Sequence, residues 1–453
     1  QPIHRVSPNH HRRARHPKLR KLATPADKQR LPDDLSSSRP IRLLVMISSM
    51  EGGGSERQTL MLLQHLDRQR FAPELYLLRR TGSLLDQVPG DVPIHCFEDA
   101  ASRVKVQTAE SSLQVIRSRL AQLPLPGKVH RQQVADVFQV LVQRQIDIIY
   151  DRTFHMTLIA GEAALAADVR RVSTIVSPPS RAVPLNAGRF LSIKKRRLKE
   201  AYRRSAAVIA VSHPTARDAA TFYGLPRHRF TVVTNPVDCR ALDQIIAATP
   251  PPPRDARFTI ACVGRISTEK GQMALIQAVV KIRSDHPDHP LPRVWMIGDG
   301  PLRATLEQTV RDEQLHDSIE FIGHVVHPAP WIAVADAVCI PSYFEGFPNV
   351  MLESMAIGVP VISRAIDVVH SLGRLASDPA IRGRTYVSTF EGSPGDQGSD
   401  LARKIIKCRT NVTATRSKTI ASQRLAREEL SVDSGIARIE GILIKAFFER
   451  LAE

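Results

Sequence analysis

The segment TPPPPRDARFTIACVG, residues 249–264, decides how this 453-residue chain divides into domains. Its four successive prolines stand directly before an apolar, strand-like run. Proline fixes φ and has no backbone N–H, so four in succession cannot lie within a helix or a central strand. The segment therefore predicts a linker over residues 246–257, with a folded domain on either side.

Short β-rich runs alternate with helical patterns on both sides of this linker. The runs are IRLLVMIS (41–48), PELYLLR (73–79), IDIIY (146–150), VSTIV (172–176), AAVIAVS (206–212), FTVVTN (230–235), FTIACVG (258–264), RVWMIG (293–298), IEFIG (319–323), AVCIPS (337–342) and VPVIS (359–363). Such alternation is typical of a doubly wound α/β sheet, and near-continuous apolar strands favour a parallel sheet. The sequence therefore predicts an α/β fold with two Rossmann-like domains facing a central cleft.

The predicted organisation has further parts at both ends of the chain. Residues 1–40 hold ten lysines and arginines against three aspartates, so we expect a basic, disordered leader. The two domains are predicted at 41–245 and 258–432. A last helical pattern, SGIARIEGILIKAFFERLA (434–452), predicts a separate C-terminal helix over 433–453.

Composition limits the class of protein. With 43% apolar residues and no apolar run near the ~18 residues needed to span a bilayer, the sequence predicts a globular protein. The N-terminus lacks the apolar segment of a signal peptide, so we expect a cytoplasmic location. The five cysteines are scattered without CxxC spacing, which indicates reduced thiols and no zinc site.

A basic cluster, RFLSIKKRRLKEAYRR, extends from Arg189 to Arg204 in a chain of net charge +18. It has eight cations against Glu200 and a helical pattern. Such a helix can be a solvated face, or it can lie on an anionic membrane surface as a peripheral contact at the inner face of the membrane. No recognised nucleic-acid motif accompanies the charge, so we expect no nucleic-acid partner.

The candidate ligand sites lie where strands lead into helices, because doubly wound sheets bind ligands there. After the first strand, Gly52, Gly53 and Gly54 permit a tight turn and close approach of a ligand. The turn lacks the GK[ST] of a phosphate-binding P-loop and the GxGxxG spacing of dinucleotide binders. A plain strand-to-helix turn is the alternative.

Two cations follow the first strand of the second domain. Arg265 and Lys270 are predicted in the loop and first turn of a helix that begins near Lys270. Helix N-termini normally disfavour cations, so their position indicates a bound anion that they share with the free N–H groups. Surface cations without a ligand are the alternative.

The segment PSYFEGFPNVMLESMAIGVPVIS, residues 341–363, contains Glu345 and Glu353. A helix from about Asn349 to Ile357 is predicted here. A buried carboxylate is costly unless it is paired, and the apolar neighbours of these glutamates offer no partner. We therefore expect a ligand to be the partner, although a surface acid at Glu345 and a helix-dipole contact at Glu353 are alternatives.

Together these motifs resemble the retaining glycosyltransferases of family 4 (group 1), which have the two-domain GT-B fold. The resemblance extends from about residue 41 to residue 363. It is carried by SSMEGGGSERQ, by His155 after IDIIYDRTFH, and by VIAVSHPTARD (208–218), TNPVD (234–238), GRISTEKG (264–271), IGDGP (297–301), FIGHV (321–325) and EGFPNVMLE (345–353). The last of these is the paired-glutamate motif of the family and is specific.

The resemblance implies roles for these residues. Glu353 would bind the ribose of a nucleotide-sugar, Glu345 the sugar near its reacting carbon, and Arg265 with Lys270 the diphosphate. His155 would face the sugar or the acceptor hydroxyl, with a purely structural histidine as the alternative. Further donor contacts are implied for Gly52, Gly53, Gly54, Gly323, His324, Val325, Gly346, Phe347, Pro348 and Asn349.

The implied activity is that of a retaining, metal-independent, hexosyltransferase-like enzyme, since no DxD triad is present. Its donor would be a nucleotide-diphosphate sugar, with uridine as the expected base, and no separate cofactor is expected. The acceptor would be a glycan or a lipid-linked sugar in cell-surface polysaccharide or glycolipid synthesis. The C-terminal helix would cross back to the first domain.

One departure from the family leaves alternatives open. The family follows its VPVI strand with a glycine pair and a glutamate, whereas this chain continues SRAIDVVHSLGRLASDP, and residues 364–430 match poorly. Either donor binding is rearranged, or the chain is a weakened or inactive member of the family. The alternatives are a non-catalytic GT-B scaffold, a nucleotide-sugar epimerase and, on charge alone, a nucleic-acid binder.

Overall fold

The computed structural model describes residues 39–99, 127–185, 190–377, 386–392 and 396–451. The predicted leader, apart from its last two residues, lies outside these ranges. Residues Pro40–Glu453 form one compact unit that contains both sheets.

The first half of the chain forms a seven-stranded parallel sheet in the order β3-β2-β1-β4-β5-β6-β7. Its strands are β1 (Ile41–Ile47), β2 (Phe71–Leu77), β3 (Ile94–Cys96), β4 (Ile148–Arg152), β5 (Arg170–Ile175), β6 (Ala207–Ala210) and β7 (Phe230–Val232). Strand β1 lies at the centre, where Val45 is in register with Leu75 and Tyr150. Those three side chains are fully buried, as expected of a sheet covered on both faces.

The second half forms a six-stranded parallel sheet in the order β10-β9-β8-β11-β12-β13. Its strands are β8 (Thr259–Val263), β9 (Arg293–Ile297), β10 (Ile319–Gly323), β11 (Ala337–Ile340), β12 (Val361–Arg364) and β13 (Ser388–Phe390). The order changes direction between β8 and β11, so the loops after these two strands lie side by side at a switch point where ligands bind.

Helices connect the strands in both halves. They are α1 (Gly54–His65), α2 (Lys128–Gln143), α3 (Phe154–Ala167), α4 (Pro179–Leu185), α5 (Leu191–Arg204), α6 (His213–Tyr223), α7 (Cys239–Ala248), α8 (Met273–Asp285), α9 (Arg303–Asp312), α10 (Ala329–Val334), α11 (Asn349–Ile357), α12 (Asp367–Ser371), α13 (Ser399–Thr410), α14 (Val412–Glu429) and α15 (Val432–Leu451). The predicted α/β class with two doubly wound domains is confirmed.

The last two helices belong to different domains. Helix α14 buries Leu425 against Met355 of the second domain, whereas α15 buries Ile436 and Leu443 in the cluster formed by β1 and α1. Between the helices, the Val237 N–H donates to the carbonyl of Leu430 at 2.8 Å, which fixes the crossing point. The C-terminal helix therefore packs back on the first domain, as expected. The domain boundaries themselves stay predictions.

Candidate functional site

The glycine turn after β1 contacts the second domain. The Asn349 side-chain amide donates to the carbonyl of Gly54 at 2.9 Å. A Cβ added to Gly52, whose φ is +100°, would lie 3.5 Å from the ring of His324. The structure thus brings the predicted turn together with two loops predicted to bind the donor, the loop around His324 and the loop before α11.

Glu345 has a partner within its own domain. Its Oε1 accepts hydrogen bonds from Lys270 Nζ at 2.6 Å and from Ser342 Oγ at 2.8 Å. Burial alone would lower the pKa of Lys270, but the adjacent Glu345 carboxylate, together with the charge of Glu269, raises that pKa. The expectation that only a ligand could pair this carboxylate was wrong, because its cation comes from the loop after β8, 75 residues earlier.

Glu353 has a partner in the other domain. Its Oε1 lies 3.1 Å from Nη1 of Arg57, on the first turn of α1, and its side chain is only 13% exposed. The same guanidinium donates through Nη2 to the carbonyl of Val326 at 3.3 Å. Here too the expectation of no protein partner was wrong. Sequence reasoning missed Arg57, because no local spacing links residues 296 positions apart.

Close backbone contacts hold the loop that carries Arg265 and Lys270. A Cβ on Gly298 would lie 2.1 Å from the carbonyl oxygen of Gly264, and one on Gly300 would lie 2.2 Å from that of Ile266. The two glycines of the IGDGP segment therefore allow the backbone of this loop to pack directly against that segment.

The two cations of that loop differ in environment. Arg265 is exposed, whereas Lys270 ends a 3₁₀ turn, Thr268–Lys270, and its side chain is 30% exposed. Helix α8 begins at Met273, so the expected start near Lys270 was three residues early. The reason is Gly271, whose φ of +66° separates the turn from the helix.

The loop from Glu345 to Asn349 is shaped by the first domain. A Cβ on Gly346 would lie 1.9 Å from the carbonyl oxygen of Val176, so only glycine fits there. The Asn235 side-chain amide donates to the carbonyl of Phe347 at 3.0 Å and to Asn349 Oδ1 at 2.9 Å. After Pro348, α11 spans the predicted range. Asn235 was missed as a site residue, although it lies in the quoted TNPVD segment.

The loop after β10 lies on the same side of the cleft. Gly323 has a φ of +84°, and its carbonyl accepts from the Gly298 N–H at 2.7 Å. His324 and Val325 follow, and the next residue, Val326, contacts Arg57. This loop therefore lies close to Glu353, since Arg57 contacts both.

His155 lies on the first turn of α3, at the carboxyl end of β4. It is accessible to solvent, yet partial burial by its surroundings lowers its pKa, and the charges of Lys194 and His130 lower it further. Lys194, on α5, lies 4.9 Å over the ring of Phe154. The charged groups that act on His155 thus belong to the first domain, and none of them is Glu345 or Glu353.

Arg364 occupies the end of β12, where the family has its glycine-pair loop. Its guanidinium carbon lies 4.5 Å from the ring centre of Tyr343 and 4.9 Å from that of Phe390. It donates to the carbonyls of Pro341, Glu391 and Gly392. Arg364 is only 7% exposed, and its contact with Pro341 supports the loop that precedes Glu345.

Two family models match the chain. The model described as Glycosyltransferase Family 4 matches residues 52–241, and the model described as Glycosyl transferases group 1 matches residues 257–381. The two matches lie on either side of the proline-rich linker. The second extends beyond residue 363, where the resemblance was expected to end.

Curated relatives match part of the chain. A D-inositol 3-phosphate glycosyltransferase of Jonesia denitrificans is 30% identical over 220 residues, covering 42% of this chain and 49% of the relative. The lipopolysaccharide core biosynthesis glycosyltransferase LpsD of Rhizobium meliloti is 29% identical over 175 residues, covering 34% and 49%. This chain thus spans about half the length of these curated relatives.

Solved structures share the fold over most of the chain. HepE of Anabaena in complex with UDP-glucose superposes with a TM-score of 0.67 at 19% identity, covering 89% of this chain and all of that one. Sucrose-phosphate synthase of Thermosynechococcus elongatus gives a TM-score of 0.66 at 14% identity, covering 90% and 100%. At such identities the likeness shows the fold alone.

Proposed function

This chain belongs to glycosyltransferase family 4, and from that premise we propose that it transfers a sugar from a nucleotide-diphosphate sugar to an acceptor hydroxyl. The observation that carries the proposal is the pairing of the segment from Glu345 to Glu353 at both of its ends. Glu345 pairs with Lys270, Glu353 pairs with Arg57 of the first domain, and Asn349 between them donates to Gly54 of the glycine turn. A UDP-glucose complex of a protein with the same fold supports UDP-sugars as the donor class to test first.

The ion pair between Lys270 and Glu345 suits the chemistry of sugar transfer. As the bond between the anomeric carbon and the phosphate breaks, positive charge develops on the sugar and negative charge on the diphosphate. Glu345 would stabilise the first charge, while Lys270 and the exposed Arg265 would stabilise the second. Because the pair is already formed at 2.6 Å, these groups need little reorganisation during the reaction.

The proposal includes retention of configuration and independence from metal ions. The acceptor hydroxyl would attack from the side on which the diphosphate leaves and would give its proton to the departing phosphate. His155 at the end of β4 would lie beside that hydroxyl. The positive charges of Arg265 and Lys270 would stabilise the negative charge that develops on the departing diphosphate. Turnover in the presence of EDTA tests metal independence, and the anomeric configuration of the product tests retention.

A glycan or lipid-linked acceptor is supported by the curated relatives, which include enzymes of lipopolysaccharide core and teichuronic acid biosynthesis. The surface of helix α5 supports an acceptor that is bound to a membrane. It buries Leu198 and Tyr202, while Ile193 and the preceding Phe190 are each 53% exposed beside its cations. Within the described residues, no helix is long and apolar enough to cross a bilayer. We propose peripheral contact with an anionic surface, and a cytoplasmic location stays a prediction.

A thermal-shift panel of nucleotide-sugars tests the proposed function. A ligand at about 100 times its dissociation constant should stabilise the protein by roughly 2.7 kcal/mol. UDP-glucose, UDP-galactose, UDP-N-acetylglucosamine and GDP-mannose form the panel, with the free sugars as controls. Stabilisation by none of the nucleotides would refute the proposal. Stabilisation without turnover on any acceptor would favour the non-catalytic alternative that the missing glycine pair leaves open.

A further inference from the structure

Arg57 is a cation of the first domain that contacts the second domain at Glu353 and Val326. It follows the glycine turn by three residues, and it links two elements of the second domain, the loop after β10 and helix α11. Its Nη1 lies 3.1 Å from Glu353 Oε1 and its Nη2 lies 3.3 Å from the carbonyl oxygen of Val326. Its side chain is 25% exposed, so it is neither a free surface group nor fully buried.

Arg57 and Glu353 both line a cavity of about 150 Å³ between the two domains. Its other walls are mainly apolar and include Met61, Leu242 and Leu352. Among the described residues, none donates a hydrogen bond to Oε2 of Glu353. The cavity therefore presents one free carboxylate oxygen beside a guanidinium that has unused N–H groups.

A vicinal diol matches this pair of groups. Each hydroxyl has one O–H donor and two acceptor lone pairs, so a carboxylate oxygen can accept from one hydroxyl while a guanidinium N–H donates to the other. Hydrogen bonds in which one partner is ionised are about twice as strong as neutral ones. The ribose of a nucleotide carries such a diol.

We infer that Arg57 is a positioning residue for recognition of the donor ribose and acts through Glu353. Arg57 holds Oε1, so that Oε2 is oriented toward the ribose hydroxyls. The inference rests on the proposed function, in which Glu353 binds the ribose. Because the pair joins both domains, the ribose site is complete only when the domains are arranged as seen here.

The competing explanation is that Arg57 only ties the two domains together. An interdomain tie would affect stability and the affinity for every nucleotide alike. A ribose-positioning residue would instead affect the preference for ribose over a sugar without the diol. The ratio of the two affinities therefore distinguishes the explanations.

The experiment measures dissociation constants by calorimetry for UDP and GDP, each with its 2′,3′-dideoxy counterpart. The proteins are wild type, Arg57→Gln, Arg57→Lys and Arg283→Gln. Arg283 is a matched control on the surface of α8, because it also bridges a carboxylate oxygen and a carbonyl, both of Glu313, at 3.2 and 2.6 Å.

We expect wild type to prefer the ribonucleotide by about 10- to 100-fold, the value of a charge-assisted hydrogen bond. Arg57→Gln should lower that preference about tenfold, Arg57→Lys should retain part of it, and Arg283→Gln should retain all of it. In steady-state assays with the donor sugar, Arg57→Gln should raise KM and leave kcat nearly unchanged.

Two outcomes would overturn the inference in distinguishable ways. If Arg57→Gln keeps the wild-type preference for ribose, with only a lower unfolding midpoint, then Arg57 is a structural tie and the proposed function stands. If wild type binds neither UDP nor GDP, the proposed function fails and the inference fails with it. Circular dichroism spectra of all variants would check that they are folded.

Discussion

Glu345 and Glu353 stand at the two ends of one nine-residue segment, but their partners lie in different domains. Glu345 pairs with Lys270 inside the second domain, and Glu353 pairs with Arg57 of the first. The intradomain pair requires only that the second domain is folded, whereas the interdomain pair requires both domains in place. The groups proposed for the chemical step are thus paired as soon as the second domain folds, whereas the proposed nucleoside site requires both domains to be in place.

Lys270→Ala should have the largest effect, because it breaks the intradomain pair. It removes a preorganised cation from the leaving group, and loss of one such electrostatic donor costs turnover about 10²- to 10³-fold. Arg265→Ala should cost less, since Arg265 is exposed and solvent screens its charge. Steady-state kcat with the cognate donor is the measurement.

Lys270→Ala also leaves Glu345 without its cation at a side-chain exposure of 15%, which will lower stability. The double variant Lys270→Ala/Glu345→Gln removes the unpaired charge and should regain part of the unfolding free energy. Its kcat should remain low. Recovery of kcat in the double variant would show that Lys270 acts only through folding.

Glu345→Gln should lower kcat by roughly 10- to 100-fold, with little change in KM. The amide can keep a hydrogen bond with Ser342 or Lys270, but the negative charge near the developing positive charge of the sugar is lost. The change is worth about one charge-assisted hydrogen bond, ~1.5 to 3 kcal/mol. A pure KM effect would contradict the contrast between the two glutamates.

Glu353→Gln should raise the donor KM and the dissociation constant of the nucleotide by roughly 10- to 100-fold, leaving kcat near wild type. The interdomain pair with Arg57 is weakened at the same time. The nucleotide affinity that the variant retains should therefore vary less with ionic strength than the wild-type affinity does. If both glutamate variants only shift the denaturation midpoint and leave the kinetics of folded enzyme alone, both carboxylates are structural.

The fold and the second-domain site follow closely from local sequence. Apolar runs bounded by glycine and proline gave most strands, and the helix over 349–357 was predicted at its observed ends. Strands β3 and β13 were missed because three residues each, IHC and STF, are too short to show a period. Their places are set by pairing with β2 and β12.

The first-domain contribution to the site could not be predicted in the same way. Arg57 and Asn235 contact residues 296 and 114 positions away, through a geometry that exists only after both domains have folded. Neither residue stands in a charge pattern of its own helix or strand. For the intradomain pair, the sequence predicted that Lys270 and Glu345 lie at the same edge of one sheet, because both follow strands of that sheet. It did not predict that the two side chains contact each other.

Glu56 gives the smallest predicted effect. It lies in the first turn of α1, next to Arg57, but it differs from Glu345 and Glu353 because no cation of either domain pairs with it among the described residues. Its carboxylate folds over Gly53 and makes no ion pair with any residue that the structure describes. Burial raises its pKa, although its own backbone N–H and the charge of Arg152 act in the opposite direction. The folded protein therefore favours the protonated form, and stability falls as pH rises from the ordinary glutamate pKa through the raised one. Glu56→Gln should accordingly raise the urea midpoint at pH 7 and leave it almost unchanged at pH 4. An equal shift at both pH values, or a loss of stability at pH 7, would mean that the Glu56 carboxylate is stabilised by its surroundings after all.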